Sequence, residues 1–164
     1  MEVNLANACK VDHLDMVLKA ISERPLKRLN LSGNTLGLEG SKILASFIET
    51  SQTLAHLNLN SCSLGDEGLQ LIMSAVSANE KVTLEHISLA NNQLTTVQPL
   101  GKTLTHLDLS SNPLQKIEDL ISSLSEAKNL QTLNLRGVCL ADVKTVPVSS
   151  QLRRLDLSDT QVKD

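Results

Sequence analysis

The segment LKRLNLSGNTL, from Leu26 to Leu36, sets out a leucine skeleton that the rest of the chain repeats. The phrase returns as LAHLNLNSCSL from Leu54, LEHISLANNQL from Leu84 and LTHLDLSSNPL from Leu104. Looser copies follow as LQTLNLRGVCL from Leu130 and LRRLDLSDTQV from Leu152. Within each copy two apolar residues flank a polar one, as in LNL or LDL. That alternation is strand periodicity, with the apolar pair facing one way and the residue between them facing the other. Units this short have too little apolar surface to fold alone, so they must stack into one continuous core.

The skeleton L-x-x-L-x-L-x-x-N-x-L resembles the leucine-rich repeat over nearly the whole chain. The resemblance implies an α/β fold: a leucine-rich-repeat solenoid, a curved right-handed coil with parallel strands on its concave face and helices and turns on its convex face. A weaker copy precedes the six. Val3 and Leu5 take the paired strand positions, and Cys9 and Val11 fit the later ones only with a one-residue insertion. Residues 1–164 are therefore expected to form a single domain of about seven units, the first degenerate. No capping unit is evident at either end, although solenoids need polar caps over their terminal cores. The expectation is an excised or incomplete array, or one whose ends a partner covers.

The second skeleton residue of each full unit is Leu29, Leu57, Ile87, Leu107, Leu133 or Leu155, giving intervals of 28, 30, 20, 26 and 22 residues. Long intervals have room for an outer helix. After Leu36 the chain reads GLEGSKILASFI, and after Leu64 it reads GDEGLQLIMSAV. This outer segment resembles the ribonuclease-inhibitor-like subclass, which is intracellular. The stretches TTVQPLG from Thr95 and VKTVPV from Val143 each hold a proline, which argues against a long helix there. Helical spacing recurs in Leu14, Val17, Leu18 and Ile21, with Asp12 as the expected N-cap. It recurs in Ile43, Leu44, Phe47 and Ile48, in Leu69, Ile72, Met73 and Val76, and in Ile117, Leu120, Ile121 and Leu124. These stripes read as core.

In the family the asparagine of the skeleton turns the chain and bonds backbone in the neighbouring coil. Asn34, Asn92 and Asn112 keep it, Cys62 is an accepted substitute, and Val138 and Thr160 depart from it. The C-terminal units are therefore expected to be less regular.

Composition excludes several functions. The 164-residue chain has a net charge of −3, one Phe and no Trp or Tyr. A nucleic-acid binder would usually be basic and would need rings for bases to stack on. No apolar run reaches membrane-spanning length, and no signal-peptide core is present at the N-terminus. Cys9, Cys62 and Cys139 are an odd, widely spaced set, which favours a reducing compartment, cytoplasm or nucleus. The sequon Asn30-Leu31-Ser32 lies within a strand. Gly101-Lys102-Thr103 lacks the first glycine of a phosphate loop, Thr96 standing in its place, and it leads into a strand. No G-x-S-x-G or H-E-x-x-H string occurs, and Glu118 and Asp119 fit solvated helix-start positions. Neither catalytic residues nor a cofactor is assigned.

The x positions of the strands carry the remaining information. The residue before each second skeleton position is Arg28, His56, His86, His106, Thr132 or Arg154, so three of the four histidines share one column. Strands about 4.8 Å apart would stack them as a ladder on the concave face. The column between the strand leucines is Asn30, Asn58, Ser88, Asp108, Asn134 and Asp156. A third reads Ser32, Asn60, Ala90, Ser110, Arg136 and Ser158. Charge gathers at the ends of the strip, Lys27 and Arg28 at one and Arg136, Arg153 and Arg154 at the other, with Asp156 and Asp159 partly offsetting the latter.

Three readings of the histidine column stand open: ordinary exposed strand residues, a polar strip that contacts a protein, or a metal site completed by Asp108. The first assigns the column no role. The other two predict pH sensitivity at about pH 6–7, and no closed four-ligand metal set is evident. The resemblance implies a non-catalytic protein-interaction scaffold whose partner, another protein, would meet the concave residues Arg28, Asn30, His56, Asn58, His86, Ser88, His106, Asp108, Asn134, Arg136, Arg154 and Asp156. The alternatives are a regulator of a small GTPase or other enzyme, with Arg28 or Arg154 in contact, and a structural spacer within a larger protein.

Overall fold

The first apolar residue of each strand pair becomes the middle of a three-residue strand, and the second follows directly after it. The structure is a computed structural model that describes residues 1–141 and 143–161. Its strands are β1 (Glu2–Asn4), β2 (Arg28–Asn30), β3 (His56–Asn58), β4 (His86–Ser88), β5 (His106–Asp108), β6 (Thr132–Asn134) and β7 (Arg154–Asp156). They form one seven-stranded sheet in sequence order, every pair parallel. The helices are α1 (Val11–Ile21), α2 (Gly37–Thr50), α3 (Gly65–Ala78) and α4 (Ile117–Glu126). They lie in the long intervals, on the outer side of the coil. Among the described residues no helix joins β4 to β5 or β6 to β7, the two intervals marked by proline. The α/β solenoid implied by the resemblance is what forms.

Register is set by the leucine pairs. Leu29 pairs with Leu57, Leu57 with Ile87, and so on to Leu155, so each column of the sequence is a straight row across the sheet. Slipping one strand by a residue would turn its leucines outward, which the core forbids. From Leu29 to Leu133 the central leucines and Ile87 are at most 2% exposed, whereas Leu155 in β7 is 43% exposed. The first strand confirms the one-residue insertion. Val3 aligns with Leu29, and the Cys9 amide donates to Asn34 Oδ1 as the Cys62 amide donates to Asn92 Oδ1.

The outer helices bury the expected stripes: Leu14 and Leu18 of α1, Leu44, Phe47 and Ile48 of α2, Leu69, Ile72 and Met73 of α3, Leu120 and Leu124 of α4. Val17, Ile21, Ile43, Val76, Ile117 and Ile121 sit half-buried at the margins. The Asp12 N-cap is not realised. The N-cap position is Lys10, with no side-chain cap bond, and Asp12 sits in the first turn, where a carboxylate still favours the positive end of the helix. The helix starts at Val11 itself, two residues before the start that an Asp12 cap would give. The repeated glycines have a packing reason: a Cβ on Gly68 would come 2.6 Å from Ser41 Oγ of the preceding coil.

Coil joins coil through the asparagines. Asn92 Nδ2 donates to the carbonyls of Leu59 and Leu89, while its Oδ1 accepts the amides of Cys62 and Leu64. Asn34 and Asn112 repeat the pattern. Cys62 supplies only the donor half, Sγ to the Leu31 carbonyl, so the Asn34 amide turns back on its own Leu31. Val138 supplies neither half, and backbone bonds from Leu109 and Ser111 to Asn134 and Arg136 carry that boundary. The Thr160 side chain bonds only within its own coil, to Leu157, although its carbonyl accepts the Leu140 amide of the preceding coil; Val162, the last skeleton position, lies outside the described residues. A second set of ties runs along the outer side, with Thr53, Asn79, Thr103 and Asn129 donating to carbonyls of the preceding coil.

Because Asn92 is fully buried and serves two coils, Asn92→Ala strands the amides of Cys62 and Leu64 and the carbonyl of Leu59, while the Leu89 carbonyl keeps Asn112. Each unsatisfied group costs roughly 1–3 kcal/mol, so a loss of at least about 3 kcal/mol is expected in urea unfolding. A loss below about 1 kcal/mol would show that the ladder is not what joins the coils.

Candidate functional site

The concave face displays the residues that the strands cannot bury. Along the histidine column the register runs Glu2, Arg28, His56, His86, His106, Thr132, Arg154. The three imidazoles do form a stack. His56 and His86 have ring centroids 4.0 Å apart with planes at 42°, and His86 and His106 lie 3.8 Å apart at 22°. Since the only Phe, Phe47, is a buried residue of α2, these imidazoles are the flat rings that the concave surface offers a partner.

Stacking changes their chemistry. His86, in the middle, is pushed down from the ordinary 6.5 to about 4, first by burial between its neighbours and then by the charges that His106 and His56 would carry. His56 is also lowered, by burial and then by Arg28, with Glu85 pulling the other way. For His86 the sequence-based window of about pH 6–7 is therefore corrected downward, because a ring between two rings loses water and gains like-charged neighbours. His106 is oriented by Thr105, whose Oγ1 lies 2.9 Å from His106 Nδ1 while also bonding the Glu85 carbonyl.

The neighbouring column has a structural task that the sequence reading did not assign to it. Asn30, Asn58, Asp108, Asn134 and Asp156 each accept, through Oδ1, the amide two residues ahead. This Asx arrangement turns the chain out of each strand. Ser88 is too short to do so, and the Ala90 amide goes instead to Asn60 of the preceding coil. The Asn30, Asn58 and Asn134 side chains keep a free end: their Nδ2 groups have no protein partner among the described residues. The column thus presents amide donors alternating with the carboxylates of Asp108 and Asp156.

At the strip's ends the arginines are partly engaged. Arg28 lies 3.8 Å from Glu2, and Arg136 Nε donates to Asp159 at 3.2 Å. Both pairs are solvent-exposed and contribute little stability. Arg154, which opens the last strand, and Arg153 just before it are both exposed. The structure brings His56, His86 and His106 together, but it does not bring Asp108 to them as a shared ligand. The acid that approaches is Glu85, whose Oε2 lies 3.9 Å from His56 Nε2. The only sequence signal for it is position: Glu85 stands one residue before His86, in a column otherwise reading Lys27, Ala55, Thr105, Gln131 and Arg153.

Comparison with known families agrees with this geometry. The family described as Leucine Rich repeats (2 copies) matches residues 82–122, and that described as Leucine Rich repeat matches residues 23–44 and 50–73. No curated protein matches the chain at a significant level.

The stack sets a pH test. An unfolded His86 takes a proton near pH 6.5, whereas the folded one resists it down to about 4. Between those values the unfolded chain binds more protons, so stability falls as the pH is lowered through that window. A proton-detected titration with a chelator present should find His86 changing charge near pH 4, and His86→Asn should flatten the pH dependence of the urea midpoint. A His86 midpoint above about pH 6 would refute the stack's influence.

Proposed function

The chain belongs to the leucine-rich repeat family, and from that premise we propose that it is a non-catalytic scaffold that recognises a partner protein through its concave sheet. Repeats of this family generally mediate protein–protein interaction. The observation that carries the reading is the pair of in-register rows on the concave face, the imidazole stack of His56, His86 and His106 beside the free amide ends of Asn30, Asn58 and Asn134.

Such a surface suits an extended, polar partner. Amide donors and carboxylates repeat at the spacing of successive strands, about 4.8 Å, and so could bond a partner's backbone or side chains in several places at once. Interface hot spots are commonly aromatic, and here the stacked imidazoles would fill that place. Arg28 at one end and Arg136, Arg153 and Arg154 at the other favour a partner with acidic ends. The two long helical coils, with α2 packed on α3, support the ribonuclease-inhibitor-like reading of the subclass. An intracellular setting is part of the same proposal, supported by three free cysteines, one of which, Cys62, serves as a thiol in the coil-joining ladder.

The test compares two variants in affinity capture from the source cells. His56→Ala/His86→Ala/His106→Ala removes the stack, and Lys42→Glu/Glu118→Lys alters the convex side. Direct partners should be lost from the first, by about tenfold or more in measured affinity, and kept by the second. Partners retained equally by both would sink concave recognition while leaving the fold intact.

A further inference from the structure

Two of the stacked histidines form a cluster with one acid, Glu85, that the partner reading leaves out. Nitrogen atoms of His56 and His86 and a carboxylate oxygen of Glu85 all lie within 4.8 Å of one another. Ligand atoms around a tetrahedral Zn²⁺ with bonds of ~2.1 Å stand about 3.4 Å apart. The side chains therefore need close by only an ångström or so, which small rotations about exposed or half-buried side-chain bonds supply. We propose that His56, Glu85 and His86 form a binding site for one divalent cation of the zinc, nickel and copper class, on the open concave face.

Donor chemistry selects that class. Two imidazoles with one carboxylate suit borderline ions such as Zn²⁺, Ni²⁺ and Cu²⁺, whereas Mg²⁺ and Ca²⁺ prefer all-oxygen sets. The backbone is already arranged for it. His56 and His86 are direct register partners, so their Cα atoms are held one strand spacing apart. The amides of Glu85 and His86 both donate to the Ala55 carbonyl, and the Glu85 carbonyl accepts the amides of Thr105 and His106. Two of the three ligands thus sit on a segment pinned from both sides, which lowers the ordering cost of closing on an ion.

Three protein ligands leave at least one coordination position to water or to a group from outside. Arg28, the register neighbour of His56, opposes the bound charge, and its contact with Glu2 softens that opposition. His106 stacks on His86 but is not one of the three, and Asp108 is not either. The proposal stands apart from the partner reading, since a cation titration needs this chain alone.

Calorimetric titration of the 164-residue chain with Zn²⁺, in a Cys9→Ser/Cys139→Ser background that removes the two accessible thiols, tests it. One Zn²⁺ per chain is expected, with no comparable signal from Mg²⁺. His56→Ala or His86→Ala should weaken uptake by on the order of tenfold or more, and Glu85→Gln by several-fold, while His106→Ala should stay within about twofold. A companion spectrum of the histidine nitrogens, which needs no ligand-site substitution, should show His56 and His86 moving with Zn²⁺ and His13 unmoved. Absence of saturable uptake overturns the proposal, as does uptake unaffected by His56→Ala and His86→Ala. A loss in His106→Ala equal to that in His86→Ala, with Glu85→Gln unaffected, overturns the ligand set.

Discussion

A coil of this chain can bury its leucines only against the coils on either side, and every other feature follows from meeting that demand. The strands are three residues long, far too short to be stable as a free sheet. What fixes them is the row of buried leucines from Leu29 to Leu133 and the polar atoms that must be satisfied where the chain turns away from that row. Asn34, Asn92 and Asn112 answer both needs at once, since each is buried and each bonds two coils. At Val138, where the asparagine is lost, backbone bonds carry the inner side of the coil boundary and Asn129 ties its outer side; among the described residues no helix follows β6.

The same register that aligns leucines inward aligns polar residues outward. Function therefore comes from the architecture as rows rather than as a cleft. Three histidines in one row become a stack with rings 3.8–4.0 Å apart, and stacking lowers the proton affinity of the central one. A central ring that stays neutral well below the ordinary histidine range suits hydrogen bonding and ring contact better than it suits a switch near neutral pH. The arginines at the two ends, by contrast, carry permanent charge and give the strip its polarity along the coil axis.

Much of this could be read from the residues. The leucine spacing set the strands and their order, the interval lengths set which coils have helices, and the column listing placed His56, His86 and His106 together. Other parts were not legible. Asp12 looked like a cap, yet the helix begins at Val11 and its cap position falls on Lys10. The Asn and Asp column looked like pure recognition, yet one oxygen of each side chain holds the turn behind its own strand. Asp108 looked like the acid nearest the histidines, and Glu85 is. In each case the deciding factor was a direction in space that linear spacing does not carry.

By itself the sequence determined the repeat, the register and the face on which each side chain falls, because strand alternation and the burial of leucine leave no second solution. Only the tertiary structure decided which polar atoms are free. Whether an asparagine amide, an imidazole nitrogen or a carboxylate oxygen remains available depends on what the next coil, often 20 to 30 residues away, has already bonded. Stacking coils consumes some of these groups and leaves others, and the ones left over are the surface with which this protein can act.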